Sequence, residues 1–208
     1  EIAHGWTARA LGDPTAAELG RLSLNPIKHV DPFGTVILPG MLKLAGLPVF
    51  GWAKPVPVIK ARLRNPRRDM MIVAAAGPGS NLAMGLIGAV LLGALLGWYG
   101  PMRDEMGPAH FLVLNLGNFI LVNVFLALFN LLPIPPFDGG HIVEGLLPRP
   151  LAAKFAGLHR QALLVMILLL VVLPWIAPQY NVVGWLIVPP VEWLSSHYLG
   201  IAASIAGR

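Results

Sequence analysis

The stretch EIAHGWTARALG at the start of the chain puts Glu1 and His4 three apart at the head of a helix-compatible run. Residues three and four apart share a helix face. A His immediately before Glu1 would complete H-E-x-x-H, in which two imidazoles bind zinc and the carboxylate beside them acts as a base for hydrolysis. By itself, a Glu-x-x-His pair equally describes a solvated helix face. A second candidate lies far downstream in NVFLALFNLLPIPPFDGGHIVEGLLP, where an apolar run ends at Leu132, three prolines follow, and Asp138 precedes Gly139 and Gly140. Prolines cannot continue a helix and force extended backbone. The paired glycines would allow close backbone approach to whatever Asp138 holds. A helix-end turn at the surface, where Asp-Gly is common, fits the same residues.

Which reading holds depends on the elements that carry these side chains. The 208 residues are 56% hydrophobic and only 12% charged, with a mean hydropathy of +0.69. Soluble domains carry roughly a quarter charged residues. Four apolar runs approach the ~20 residues a bilayer-crossing helix needs: Met70 to about Tyr99, Phe111 to Leu132, Gln161 to Ile176 and Val182 to about Leu199. The last is interrupted by Pro189-Pro190, so it is expected to kink or to span only partly. Residues 1–11 are expected to be the tail of an earlier span. No Cys is present, which excludes disulfides and thiolate metal sites.

The net charge of +5 is placed as in a membrane protein. Arg21, Lys28, Lys43, Lys54, Lys60, Arg62, Arg64, Arg67 and Arg68 fall before the Met70 run, and Arg149, Lys154 and Arg160 follow the Phe111 run. Between these runs, the 100–110 connection sets one Arg against Asp104 and Glu105. Alternation of basic and non-basic loops is the positive-inside pattern and assigns residues 12–69 and 133–160 to the cytoplasmic side. Nucleic acid is not the expected partner, since LRNPRRD lacks the interleaved aromatics of a single-strand binder.

With that topology, Glu1 and His4 lie near the cytoplasmic face, and a further ligand must come from a similar depth. Asp138 does. An acid at membrane depth is expensive and by default functional, with a cation as partner. Its broken backbone is tolerated there only when buried or lining a wet cavity. Together these favour the ligand reading of Asp138. Asp13 and Glu18 read as solvated loop or capping residues, and Asp31 in HVDPFGT as a turn residue. His141, close to Glu144, could orient the carboxylate or be an alternative ligand. His29, His110, His159 and His197 have no partner spacing.

The pieces EIAHGW, HVDPFGT, FGWAKPVPV, LRNPRRDMMIVAAAGPGSN and NLLPIPPFDGG stand in an order that resembles the site-2 protease family of intramembrane zinc metalloproteases (peptidase family M50), in its compact branch without a PDZ domain. The resemblance covers residues 1 to about 145 and is most specific at Asn130, Pro133 and Asp138-Gly139. It implies His4 and Asp138 as zinc ligands, Glu1 as general base, and Asn130 as a candidate to support the oxyanion or the substrate backbone. One zinc per chain is expected. The family's first His ligand would precede Glu1 and is not in this sequence; the intact protein is expected to have it. Two His and one carboxylate leave zinc's fourth position open, as in catalytic sites.

The expected fold is mainly α: a multi-pass transmembrane helical bundle with a small membrane-associated β-hairpin or sheet. Residues 1–145 would form the metalloprotease core and 146–208 the C-terminal transmembrane helices. The strand is read from FGTVILPG and FGWAKPVPVI in residues 33–60, where Pro55 and Pro57 permit only an edge strand. Such an edge could take up an extended substrate, or the hairpin could simply pack on the helices. AAGPGSNLAMG reads as a helix start with small residues for close packing. The expected function is hydrolysis of membrane-embedded protein substrates near the cytoplasmic face of the cell membrane, with the lipid bilayer as surroundings. Two alternatives remain: a protease-like protein that binds transmembrane segments without cutting, and a small ion-coupled transporter. The latter would show internal repeats, and none is seen.

Overall fold

The computed structural model describes residues 1–46, 49, 51–99, 107–157, 161–168 and 172–207. Residues 100–106, on which part of the charge alternation rests, lie outside the described residues, as do His159 and Arg160. The described residues are mainly helical and contain no strand. They form two compact units, Glu1–Gly77 with His141–Gln161, and Pro78–Gly140 with Ala162–Arg208.

In the first unit, α1 (Ile2–Ala10) leads through a turn into the short α2 (Thr15–Glu18). Asp13 closes this turn and is fully buried, not solvated as its loop context suggests. Its Oδ1 accepts the backbone N–H of Thr15 at 3.0 Å and the Thr15 hydroxyl, while Oδ2 accepts the Ile59 N–H at 2.5 Å. Burial works against the charged carboxylate, but these donors and the nearby Arg62 outweigh it and hold the Asp13 pKa below its ordinary value. Arg21 plays a similar part, donating to the carbonyls of Lys28 at 2.6 Å and Lys54 at 2.8 Å. The apolar core here is small: Ala8, Leu63 and Val73, with Leu11, Val58 and Met70 against them.

The expected β-hairpin at 33–60 is corrected. Residues Pro32–Ile37 form a wide helical turn that runs directly into α3 (Leu38–Leu44). The sequence explains the start: Asp31 Oδ1 accepts the N–H of Phe33 at 3.0 Å and of Gly34 at 2.7 Å, and Pro32 occupies the first turn, where its missing N–H costs nothing. Residues 51–59 have no regular secondary structure and form no strand. Pro55 and Pro57 have no N–H, so a ladder cannot propagate. The amides of Trp52, Lys54 and Val56 go instead to three separate acceptors: the Gly34 carbonyl at 3.1 Å, the His29 carbonyl at 2.8 Å and the Glu1 carboxylate at 3.0 Å. Leu47, Pro48 and Phe50 of the same stretch lie outside the described residues.

The longest helix, α4 (Pro66–Tyr99), gives its first turns to the first unit and the rest to the second. It starts at Pro66, with the Asn65 N–H on the Asp69 carboxylate at 2.7 Å, and continues through Gly77-Pro78-Gly79, which is therefore interior and not a helix start. α5 (Pro108–Asn130) follows. Both α4 and α5 are long and apolar enough to cross a membrane. Only 28% and 22% of their most apolar stretches are buried, in contrast to the mostly buried core helix of a soluble domain. Ile87, Leu91, Leu112, Leu121 and Val122 stand exposed along them, which in water would form a costly apolar surface.

The third apolar run contains α8 (Ala162–Ile167) and α9 (Leu173–Ile176), after α6 (Asp138–Leu146) and α7 (Arg149–Gly157). The fourth divides into α10 (Val182–Leu186) and α11 (Val188–Ile205), with Pro189-Pro190 in the first turn of α11. The prolines thus begin a helix and do not kink one. The core of the second unit joins Ala89 and Leu92 of α4, Ile120 and Val124 of α5, and Ile187, Val191 and Ala202. Glycines set the distance: a Cβ on Gly93 would stand 2.6 Å from the Ala202 carbonyl oxygen.

Candidate metal and catalytic site

Glu1 is the N-cap of α1 and His4 lies one turn in, so their three-residue spacing is helical as expected. Gly5, next to His4, is buried, and a Cβ there would stand 2.8 Å from Val56 Cγ1 and collide with Leu22. Its lack of a side chain brings α1 against the 51–59 segment. That contact puts the Val56 N–H on Glu1 Oε2 at 3.0 Å. Pro-Val-Pro at 55–57 has one N–H among three residues, and it is spent on this carboxylate.

The His4 ring is half-buried, with Nδ1 2.8 Å from the Val73 carbonyl oxygen. A carbonyl only accepts, so Nδ1 carries the proton, and in the neutral ring Nε2 then carries the lone pair. Metal-ligating imidazoles are oriented this way, by donating the second ring N–H to a carbonyl or carboxylate. His4 therefore fits a zinc ligand in tautomer and in anchoring.

Asp138 belongs to the second unit, as the first residue of α6. It is half-buried, and its backbone is fixed from both sides. Phe137 is buried, its ring edge-on to Phe129 of α5 with centroids 4.7 Å apart. A Cβ on Gly139 would collide with the carbonyl oxygens of Leu131 and Leu132, and one on Gly140 would stand 2.9 Å from Pro135 N. The paired glycines thus allow the first turn of α6 to close on the proline loop. Asn130 ends α5, with its Nδ2 donating to the Leu126 carbonyl at 3.0 Å. One N–H of the amide is used there; the amide carries a second.

His141 Nδ1 lies 3.7 Å from Glu144 Oε2, and Glu144 Oε1 accepts Lys60 Nζ at 2.5 Å. Asp31 caps its turn, and Glu18 pairs with Arg62 at 2.8 Å. Among the described residues, no three His, Asp or Glu side chains gather as a metal-holding group. Two site features were missed by the sequence reading, the Val73 carbonyl and the Val56 N–H. The Pro-Val-Pro pattern could have pointed to Val56; nothing local points to Val73.

Residues 105–172, which contain Asn130 and Asp138, match Peptidase family M50. YwhC of Bacillus subtilis, named as a candidate zinc metalloprotease, is 42% identical over 173 residues, covering 82% of this chain and 74% of that protein. Rip2 of Mycobacterium tuberculosis, named in the same way, is 32% identical over 216 residues, covering 100% of this chain and 74% of that protein. No solved structure matches. An alignment of that identity over most of both chains, together with the family match across the Asp138 loop, shows that the chain belongs to peptidase family M50, the site-2 protease family of zinc metalloproteases.

Proposed function

We propose that this metalloendopeptidase cuts membrane-embedded protein substrates near the cytoplasmic face, with His4 and Asp138 as ligands of one zinc and Glu1 as general base. The observation that carries the reading is the His4 Nδ1 contact to the Val73 carbonyl at 2.8 Å, which presents Nε2 as a metal ligand. The remaining ligand is assigned to a His directly before Glu1. Zinc supplies polarisation of the scissile carbonyl and activation of water. Glu1 takes the proton of the attacking water on its carboxylate and passes it to the leaving amine nitrogen as the C–N bond breaks. The Val56 N–H on Oε2 orients that carboxylate and leaves Oε1 for the proton. Asn130 donates its second amide N–H to the carbonyl oxygen, where charge develops. The basic 12–69 and 133–160 stretches support a cytoplasmic position for this chemistry.

The test is made in protein that carries His before Glu1. Glu1→Gln is expected to lower cleavage of a transmembrane substrate by more than about 10³-fold, within the range for loss of acid–base catalysis, while zinc stays bound. Asp138→Asn is expected to lower zinc content and activity together. Metal analysis showing that Glu1→Gln loses zinc as fully as Asp138→Asn would exchange their roles.

A further inference from the structure

Five cations, Lys60, Arg62, Arg64, Arg67 and Arg68, crowd the approach to α4. Two are answered by carboxylates: Lys60 by Glu144 at 2.5 Å and Arg62 by Glu18 at 2.8 Å. The two in the first turn of α4 are not. Among the described residues, Arg67 reaches only a carbonyl, with Nη2 3.4 Å from Glu144 O, and its Nε is buried without a hydrogen-bond partner. Arg68 is exposed and has no ion-pair partner among the described residues. The acid of the same turn, Asp69, is buried and turned to the Asn65 N–H.

These two arginines line a cavity of about 480 Å³ with Asn65, Pro66, Met71 and Gly145. One wall is cationic and amide, the other apolar. A Cβ on Gly145 would stand 2.9 Å from Met71 Cβ, so the apolar wall is closely formed. One turn beyond Arg68, on the same face, Ile72 is exposed. Guanidinium forks match phosphate oxygens in pairs. α4 is long and apolar enough to cross a bilayer, and at headgroup level basic pockets take anionic lipid headgroups.

We propose that this cavity binds the phosphate of an anionic phospholipid, with Arg67 and Arg68 on the phosphate and the acyl chains leaving along the Ile72 face. The proposal rests on the membrane-spanning reading of α4 and is independent of the peptidase chemistry.

The full chain is reconstituted in phosphatidylcholine vesicles with and without phosphatidylglycerol, and bound lipid is titrated by native mass spectrometry. Phosphatidylglycerol is expected to be retained over phosphatidylcholine. The Arg67→Gln/Arg68→Gln variant should weaken that retention by about tenfold or more. Arg149→Gln/Lys154→Gln removes the same charge from two exposed positions on α7 and should change it less than about twofold. Equal weakening by both double variants, or equal retention of the two lipids, overturns the site in favour of diffuse attraction. Displacement of the lipid by millimolar inorganic phosphate would make free phosphate the ligand and overturn the lipid assignment. Should the double variant fail to insert, Arg68→Gln alone is measured, with about threefold weakening expected and no change overturning the site. Failure of the wild-type chain to float with either vesicle would overturn the membrane reading itself, a result distinct from flotation without lipid selectivity.

Discussion

The first unit is held by a few side chains that reach across the sequence to backbone groups, the second by apolar helices that touch through small residues. Asp13, Arg21 and Glu1 hold the 51–59 segment and its neighbours by hydrogen bonds, around a core of three buried residues. In the second unit, nine buried residues form one core, and Gly93 and Gly139 let backbone approach backbone. The contrast follows from surroundings. Helices whose outer faces are apolar satisfy their amides internally and need only shape from their neighbours. Extended backbone has no internal partners, so each N–H must find an acceptor. The candidate base and one ligand stand in the polar unit, the candidate acid ligand in the apolar one.

The largest effect is expected where backbone meets backbone. Gly139→Val would drive side-chain carbons into the Leu131 and Leu132 carbonyls, which cannot move aside without unwinding the end of α5. A loss above about 3 kcal/mol, or no folded protein, is expected in detergent unfolding. An unchanged melting temperature would break the account of the second unit.

In the first unit, Asp13→Ala should cost about 2–4 kcal/mol, because it orphans the Ile59 and Thr15 donors together. Its pH dependence adds a second reading. The Asp13 pKa is lower folded than unfolded, so its contribution is present above the unfolded value of about 3.9 and is lost as pH falls through the folded value. Wild-type protein should therefore destabilise more steeply on acidification below about pH 4 than Asp13→Asn. Parallel pH profiles would show that the network does not depend on the charge.

A smaller effect is expected from Val56→Pro, which deletes the N–H on Glu1 and also replaces the buried Val56 side chain that packs on Gly5. Cleavage should fall about tenfold, or about 1.4 kcal/mol in the barrier, mainly in kcat, with zinc content retained. Unchanged kcat would reduce the Glu1 contact to packing.

The smallest effect compares two asparagines of α5. Asn123 is buried and, among the described residues, bonds only its own helix, Nδ2 to the Phe119 carbonyl at 2.8 Å. Asn123→Leu should shift stability by less than about 1 kcal/mol in either direction, since donor and shape are replaced together. Asn130→Leu should be as mild in stability yet lower kcat. Equal kinetics in the two variants would remove Asn130 from the site.

Much of this was readable along the chain. The helical class, the α4 and α5 spans, the Glu1–His4 spacing and the Asp138 loop follow from local period, proline placement and residue chemistry. The hairpin was misread because alternating Val and Pro in residues 55–58 describes extended backbone and not its partner. Asp13 caps a turn, as one of its two readings had it, but its burial was not legible because a turn acid looks the same in sequence whether water or Ile59 supplies its donors. Only the tertiary structure paired Val56 with Glu1, 55 positions apart, and Val73 with His4, 69 apart. The physical reason is the range of the interaction. Helix hydrogen bonds close within four residues and leave a periodic trace in the sequence, whereas a backbone N–H or carbonyl is the same group in every residue and reveals its long-range partner only when the chain has folded.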